Sequence, residues 1–462
     1  MRFSRRDFLA GAAAAGAAPL LRPAMAAAQG GASTLTAAPT TAALVGGKWP
    51  DTAVWAFNES VPGPEIRVRQ GETVRVVARN GLRQPTTVHW HGIRLPNAMD
   101  GVPELTQDPI APGGEFLYEF KAVDAGTFWY HPHVNSMEQQ GRGLSGALIV
   151  EEMEPIRVDR EVTWVIDDWL LRETAEIDNS FGHPGQMSHG GRIGNTVTLN
   201  GRVPDIFQVR AGERIRLRLV NVANARTFSL DFGDLRPRII ALDGQPVTPH
   251  EAEGGRVVVA AAQRVDLAID MDGRPGDEVL VIDRQYRGRE YEFIAIAYSG
   301  EAPLRHSPLD APVALPRNPL REPVPDGSAL REQIVLQGGA MGRMPAGVDR
   351  FLEQGQYWFL NELPDKGRDG PLFTVERGRT VVVALVNDTG WEHPMHLHGF
   401  AFRVIARNGK PNMRGEWLDT VLVRPREWVE IAFVADNPGD WLFHCHILEH
   451  MAAGMNGVVR VT

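Results

Sequence analysis

Three stretches of this chain share one layout, and that repetition limits the fold more than any other feature. They are "EIRVRQGETVRVVARNGLRQPTTVHWHG" at 65–92, "DIFQVRAGERIRLRLVNVANARTFSLDFG" at 205–233 and "PLFTVERGRTVVVALVNDTGWEHPMHLHG" at 371–399. Each alternates apolar and polar residues, turns at a glycine and alternates again, which is the pattern of strands joined by a tight turn. The registers agree. Gly71, Gly212 and Gly378 are the turn glycines, and 21 residues beyond them stand Gly92, Gly233 and Gly399. A second correspondence joins "AGTFWYHPH" (Ala125 to His133) to "PGDWLFHCH" (Pro438 to His446). Alternation repeated three times with little helical periodicity predicts an all-β chain of three homologous Greek-key β-sandwich domains in tandem.

With 462 residues the chain exceeds a single simple core, which agrees with several domains. The expected boundaries are 32–154, 155–300 and 329–462. Residues 301–328 hold seven prolines and little periodicity, and read as an extended linker. The 48 glycines and 33 prolines favour turn-rich β structure. A net charge of −9 without a long basic run argues against nucleic-acid binding. No segment after the leader has eighteen consecutive apolar residues, so no membrane span is expected. Residues 1–28 read as a targeting segment. "SRRDFL" precedes an apolar Ala/Gly/Leu stretch and "AMAAAQ", and paired Arg5–Arg6 before Phe8–Leu9 resembles a twin-arginine export signal more than an ordinary secretory one. One cysteine, Cys445, cannot form an internal disulfide, so in an exported protein it is expected to be buried or metal-bound.

Ten of the fourteen histidines form four clusters: His89 and His91; His131 and His133; His393, His396 and His398; His444, His446 and His450. A His-x-His pair on a strand puts both imidazoles on one face. Counting 18 and 20 residues from the turn glycine gives His89 and His91 in the first repeat and His396 and His398 in the third, but Leu230 and Phe232 in the second. The expected metal site is therefore shared by the first and third domains. His183, His189, His250 and His306 fall outside the pattern and read as structural or solvent-exposed. A thiolate, two imidazoles and a weak thioether make the blue-copper set. Cys445, His450 and Met455 supply most of it from one strand and the loop after it, and His393 is the free candidate for the second imidazole. Zinc is the other metal for Cys/His donors, but its structural sites generally use more than one cysteine.

The motifs "HWHG", "HPH", "HPMHLHG" and "HCHILEHMAAGM", in this order, resemble those of the multicopper oxidases, and the likeness covers nearly the whole chain after the leader. The resemblance implies cupredoxin-like domains and four copper ions. His393, Cys445, His450 and axial Met455 would hold the type 1 copper. His89 and His396 would hold the type 2 copper. His91, His131 and His446 would hold one type 3 copper, and His133, His398 and His444 the other. Electrons from a reducing substrate would pass through Cys445 into His444 and His446, and O₂ would be reduced to water. Asp100, in "NAMDGVP", matches an acid near the type 2 copper and would relay protons. Many bacterial relatives carry a proton-donating Glu where this chain has Met451. Glu392 and Glu449 adjoin type 1 histidines and are candidates for substrate contact or proton relay. The expected reductants are phenols and aromatic amines, as in laccases; the alternatives are Cu(I), for copper tolerance, or a non-catalytic periplasmic role. Only Met341 and Met344 stand in for the methionine-rich insert of cuprous oxidases. The leader implies export to the periplasm by the twin-arginine machinery, and three domains allow a monomer.

Overall fold

A computed structural model describes residues 25–26, 32–364, 367 and 370–462. The export signal read at 1–28 lies outside them, apart from the two-residue strand Met25–Ala26. The described residues form six β-sheets with a few short helices. Strands between 25 and 151 build sheets of five and four strands, those between 160 and 298 sheets of six and five, and those between 330 and 461 sheets of seven and five. Three consecutive stretches thus each supply two sheets, the all-β layered arrangement that the alternation predicts.

The sequence repeat reappears as a repeat of pairing. In each unit the first long strand runs parallel to the strand after the turn glycine: Ser33–Ala42 with Thr73–Asn80, Arg160–Trp169 with Arg214–Asn221, and Leu330–Gly338 with Thr380–Asn387. Parallel neighbours cannot be joined by a hairpin, so the chain must leave the sheet and return, as a Greek key does. The turn glycines Gly71, Gly212 and Gly378 have φ of 88°, 80° and 88°. L-residues with a Cβ rarely adopt that region, which is why glycine recurs there.

The cores are unequal in a way that places the site. One continuous apolar cluster takes residues from both the first and third units, including Leu35, Trp90, Leu148, Val383, Phe433 and Trp441. The second unit has a core of its own around Trp164, Leu217, Phe228 and Leu267. Residues 301–328 hold no helix or strand, yet they are pinned. Asn318 bonds the backbone of Ala125 and the side chain of Gln245, and Val313 is buried against Ile240 and Ala268.

Candidate metal centre

The strand Gly439–Cys445 carries the chain into the site, and Ile447 leads into a five-residue helix, Leu448–Ala452. The loop expected after Cys445 thus contains a helical turn, and this turn brings His450 back over the thiol. Cys445 Sγ lies 3.5 Å from His393 Nδ1 and 3.6 Å from His450 Nδ1, and the two nitrogens are 3.1 Å apart. A metal ion with bonds of about 2.0–2.3 Å separates its donors by such distances. The other nitrogen of each ring is engaged: His393 Nε2 with Thr389 Oγ1 at 2.8 Å, and His450 Nε2 with the His189 carbonyl at 2.5 Å. A carbonyl only accepts, so His450 carries its proton on Nε2 and presents the Nδ1 lone pair to the sulfur side. Met455 is fully buried. Its N–H donates to the His450 carbonyl and its carbonyl accepts from the Cys445 N–H, which ties it to both residues.

Eight further histidines converge where the first and third units meet. Antiparallel pairing sets His89 opposite His131 in one sheet and His396 opposite His444 in the other. The sets His89/His91/His396, His91/His131/His446 and His133/His398/His444 each bring their ligating atoms within 4.8 Å of one another. All eight rings are buried. Several of the rings place Nδ1 against a backbone carbonyl: His89 on Asp100 at 2.7 Å, His396 on Asp419 at 2.8 Å, and His444 on Cys445 at 2.9 Å. This fixes Nδ1–H and turns Nε2 inward. His91 is the reverse, with Nε2 against Asp419 Oδ1 at 3.0 Å. Left buried without hydrogen-bond partners are His89 Nε2, His91 Nδ1, His131 Nε2, His133 Nε2, His396 Nε2 and both nitrogens of His446. Buried polar atoms are rarely orphaned unless an ion or water takes them.

The electrostatics agree with metal ligation. Burial first, and neighbouring imidazoles second, push His91, His131, His133, His398 and His444 well below the usual histidine range. His450 is pushed down to about 3 by burial. Neutral imidazoles are the form that binds a metal. Burial raises the Cys445 thiol, so its thiolate needs a cation beside it. The soft sulfur with two imidazoles, and the all-imidazole cluster next to it, suit copper.

Two aspartates support the rings. Asp100, expected from the sequence, is buried, with Oδ2 2.9 Å from His398 Nδ1 and Oδ1 3.2 Å from His89 Nδ1. Asp419 was not singled out by sequence reasoning. Its carboxylate touches His91 and lies 3.5 Å from His396, and it pairs through two oxygens with Arg264 of the second unit. That guanidinium holds the Asp419 carboxyl below the usual range, whereas burial and Asp419 push Asp243 up to about 7. Asp419 sits in "WLDTV", just before a strand, and no local pattern separates it from an ordinary turn acid. Of the two glutamates beside the Cys445 triad, both turn to the second unit. Glu392 accepts from Thr227 Oγ1 at 2.6 Å, and buried Glu449 lies 3.4 Å from Asn224 Nδ2. Met451 is partly exposed on the short helix. Of the histidines outside the pattern, His189 and His306 are exposed; His183, also exposed, caps the short helix Pro184–Met187; half-buried His250 meets the Thr248 carbonyl.

Paired sheets carrying a Cys/His triad beside an all-histidine cluster define a metal-dependent redox protein with cupredoxin-like domains. Multicopper oxidase family profiles match residues 38–155, 160–293 and 344–462. The chain belongs to the multicopper oxidases, and is an oxidoreductase that uses copper and oxygen. It is 31% identical to the multicopper oxidase MmcO of Mycobacterium tuberculosis, over 98% of this chain and 96% of that one. It is 27% identical to a copper resistance protein A homolog of Pseudomonas syringae pv. tomato, over 88% of each. The crystal structure of a multi-copper oxidase from Pseudomonas thermotolerans superposes with a TM-score of 0.83 at 33% identity, covering 95% of this chain and all of that one.

Proposed function

We propose that this protein couples one-electron oxidation of phenols or aromatic amines, as a laccase does, to the reduction of O₂ to water. Four copper ions, when bound, would supply the one-electron steps and the four electrons that O₂ needs. His393, Cys445, His450 and Met455 would hold the type 1 ion. His89 and His396 would hold the type 2 ion. His91, His131 and His446, and His133, His398 and His444, would hold the type 3 pair. The observation that carries this reading is the placement of Cys445. Its sulfur belongs to the triad with His393 and His450, while its chain neighbours His444 and His446 belong to two sets of the other cluster. One tripeptide thereby joins an outer and an inner centre by covalent bonds alone. Asp100, touching His89 and His398, is the proton-relaying acid. The three units in the order 32–154, 155–300 and 329–462, with 301–328 linking the last two, give a monomer that holds a complete site. The protein is exported to the periplasm by the twin-arginine route.

A second reading, oxidation of Cu(I) for copper tolerance, is favoured by Met341 and Met344. They are 71% and 39% exposed, on the loop whose Ala340 carbonyl accepts from Trp391 Nε1. Thioethers are soft ligands that select Cu(I). Copper analysis with an absorption spectrum tests the shared core: four coppers per chain and a strong band near ~600 nm are expected. A colourless, copper-free protein after reconstitution would sink it. Turnover of a phenol against Cu(I) then separates the two readings.

A further inference from the structure

Residues 187–191 of the second unit lie across the Cys445 triad as a strap. Three successive carbonyls accept from the third unit: Met187 from Trp358 Nε1 at 2.6 Å, Ser188 from the Ala340 N–H at 2.7 Å, and His189 from His450 Nε2 at 2.5 Å. Two glycines allow the close fit. A Cβ on Gly190 would meet the Trp391 ring at 3.1 Å, and one on Gly191 would meet Ile447 at 2.5 Å. His450 itself is fully buried, and its second nitrogen is spent on the His189 carbonyl. A reductant therefore has no free edge of His450 to touch.

The side chain of the same His189 is exposed. Its ring meets the half-buried Trp391 ring edge to face, with centroids 5.6 Å apart at 64°. Ser188 Oγ, 3.0 Å from Nδ1, sets its orientation. A short path thus runs from a solvent-facing aromatic pair, through the bonds of one residue, to a ligand of the triad. Trp391 is also joined to the triad by sequence, two residues before His393.

We propose that His189, with Trp391 beside it, is where an aromatic reductant docks, and that electrons reach the His450 site through the His189 carbonyl. This rests on the copper-oxidase reading above. The pair offers ring faces and edges that an aromatic molecule can meet in offset or edge-to-face contact. At each docking a phenol gives up one electron, towards His450, and one proton, to water. Four such events, yielding four phenoxyl radicals, balance one O₂ reduced to two waters.

The test is binding of 2,6-dimethoxyphenol to the anaerobically reduced protein, in which any copper is diamagnetic and the phenol is not oxidised. The His189 Cε1–H resonance, identified by its loss in His189→Ala, is expected to shift on titration. His189→Ala should bind the phenol about fivefold more weakly, and His189→Phe should restore most of the affinity. In the aerobic enzyme the KM for the same phenol should rise in His189→Ala by a similar factor, with the band near ~600 nm retained. No shift at His189, or equal affinity and KM in His189→Ala, would overturn the proposal. A wild-type protein without copper or the band would overturn the oxidase reading instead, and the binding titration does not depend on it.

Discussion

Asp100 of the first unit holds His398 of the third: its Oδ2 lies 2.9 Å from Nδ1 of that ring, and both side chains are buried. The same residue accepts from His89 through its backbone carbonyl at 2.7 Å. One acid thereby orients a ring from each half of the histidine cluster, and its Oδ1 lies 3.2 Å from His89 Nδ1 without forming a hydrogen bond. On the function proposed above, it would both fix ring tautomers and relay a proton.

Asp100→Asn separates these roles, because an amide oxygen still accepts from His398 but the side chain no longer exchanges a proton at neutral pH. Turnover should fall by about 10²-fold, the low end of general acid–base contributions, with copper content retained. Steady-state oxygen uptake and metal analysis check it. Asp100→Ala should in addition weaken copper binding by roughly 10–100-fold, as loss of an outer hydrogen-bond partner does.

Asp419→Asn should destabilise the fold by about 3 kcal/mol, the low end for breaking a buried ion pair. Arg264 would remain buried, with Asp243 at 3.4 Å left as its ion-pair partner. Adding Arg264→Met should recover part of the loss, because the unpaired charge is then gone. Denaturant unfolding of the single and double variants reads this directly. Additive losses would show that the pair contributes nothing.

Met455→Leu should raise the redox potential of the Cys445 site. A thioether donor stabilises the oxidised metal more than a leucine can, so removing it favours the reduced form. Redox titration of the band near ~600 nm measures the shift, and an unchanged or lowered value would remove Met455 from the ligand set.

Acid should destabilise the copper-free chain well above the carboxylate range. Nine buried histidines are held below their ordinary value, chiefly by burial. Below pH ~6.5 the unfolded chain takes up protons that the folded one refuses, so stability falls as pH falls. Each such histidine costs up to about 1.4 kcal/mol per pH unit in that window. Asp167, Asp243 and Glu449, whose carboxyls are raised, act in the opposite sense but are fewer. Unfolding free energies between pH 6.5 and 5 test this, and a flat profile would contradict it.

Much of the molecule was legible from local order in the chain. Alternation at period 2 announced the strands, and the turn glycines announced the repeat. His-x-His spacing put pairs of rings on one strand face, and the lone cysteine stands between two such histidines. These are short-range properties, set by where successive side chains point along an extended backbone. Folding alone decided which acids and carbonyls meet those rings. Asp419 reaches His91 across 328 positions of sequence and Asp100 reaches His398 across 298, while the His189 carbonyl reaches His450 across 261. Such contacts leave no periodic trace, because a residue that acts by docking one sheet against another carries no local pattern of its own. The chain by itself thus specified an all-β architecture and a set of donors. The packing of three units against one another selected which nitrogen each donor presents, which charge balances it, and which surface stands over the buried thiol.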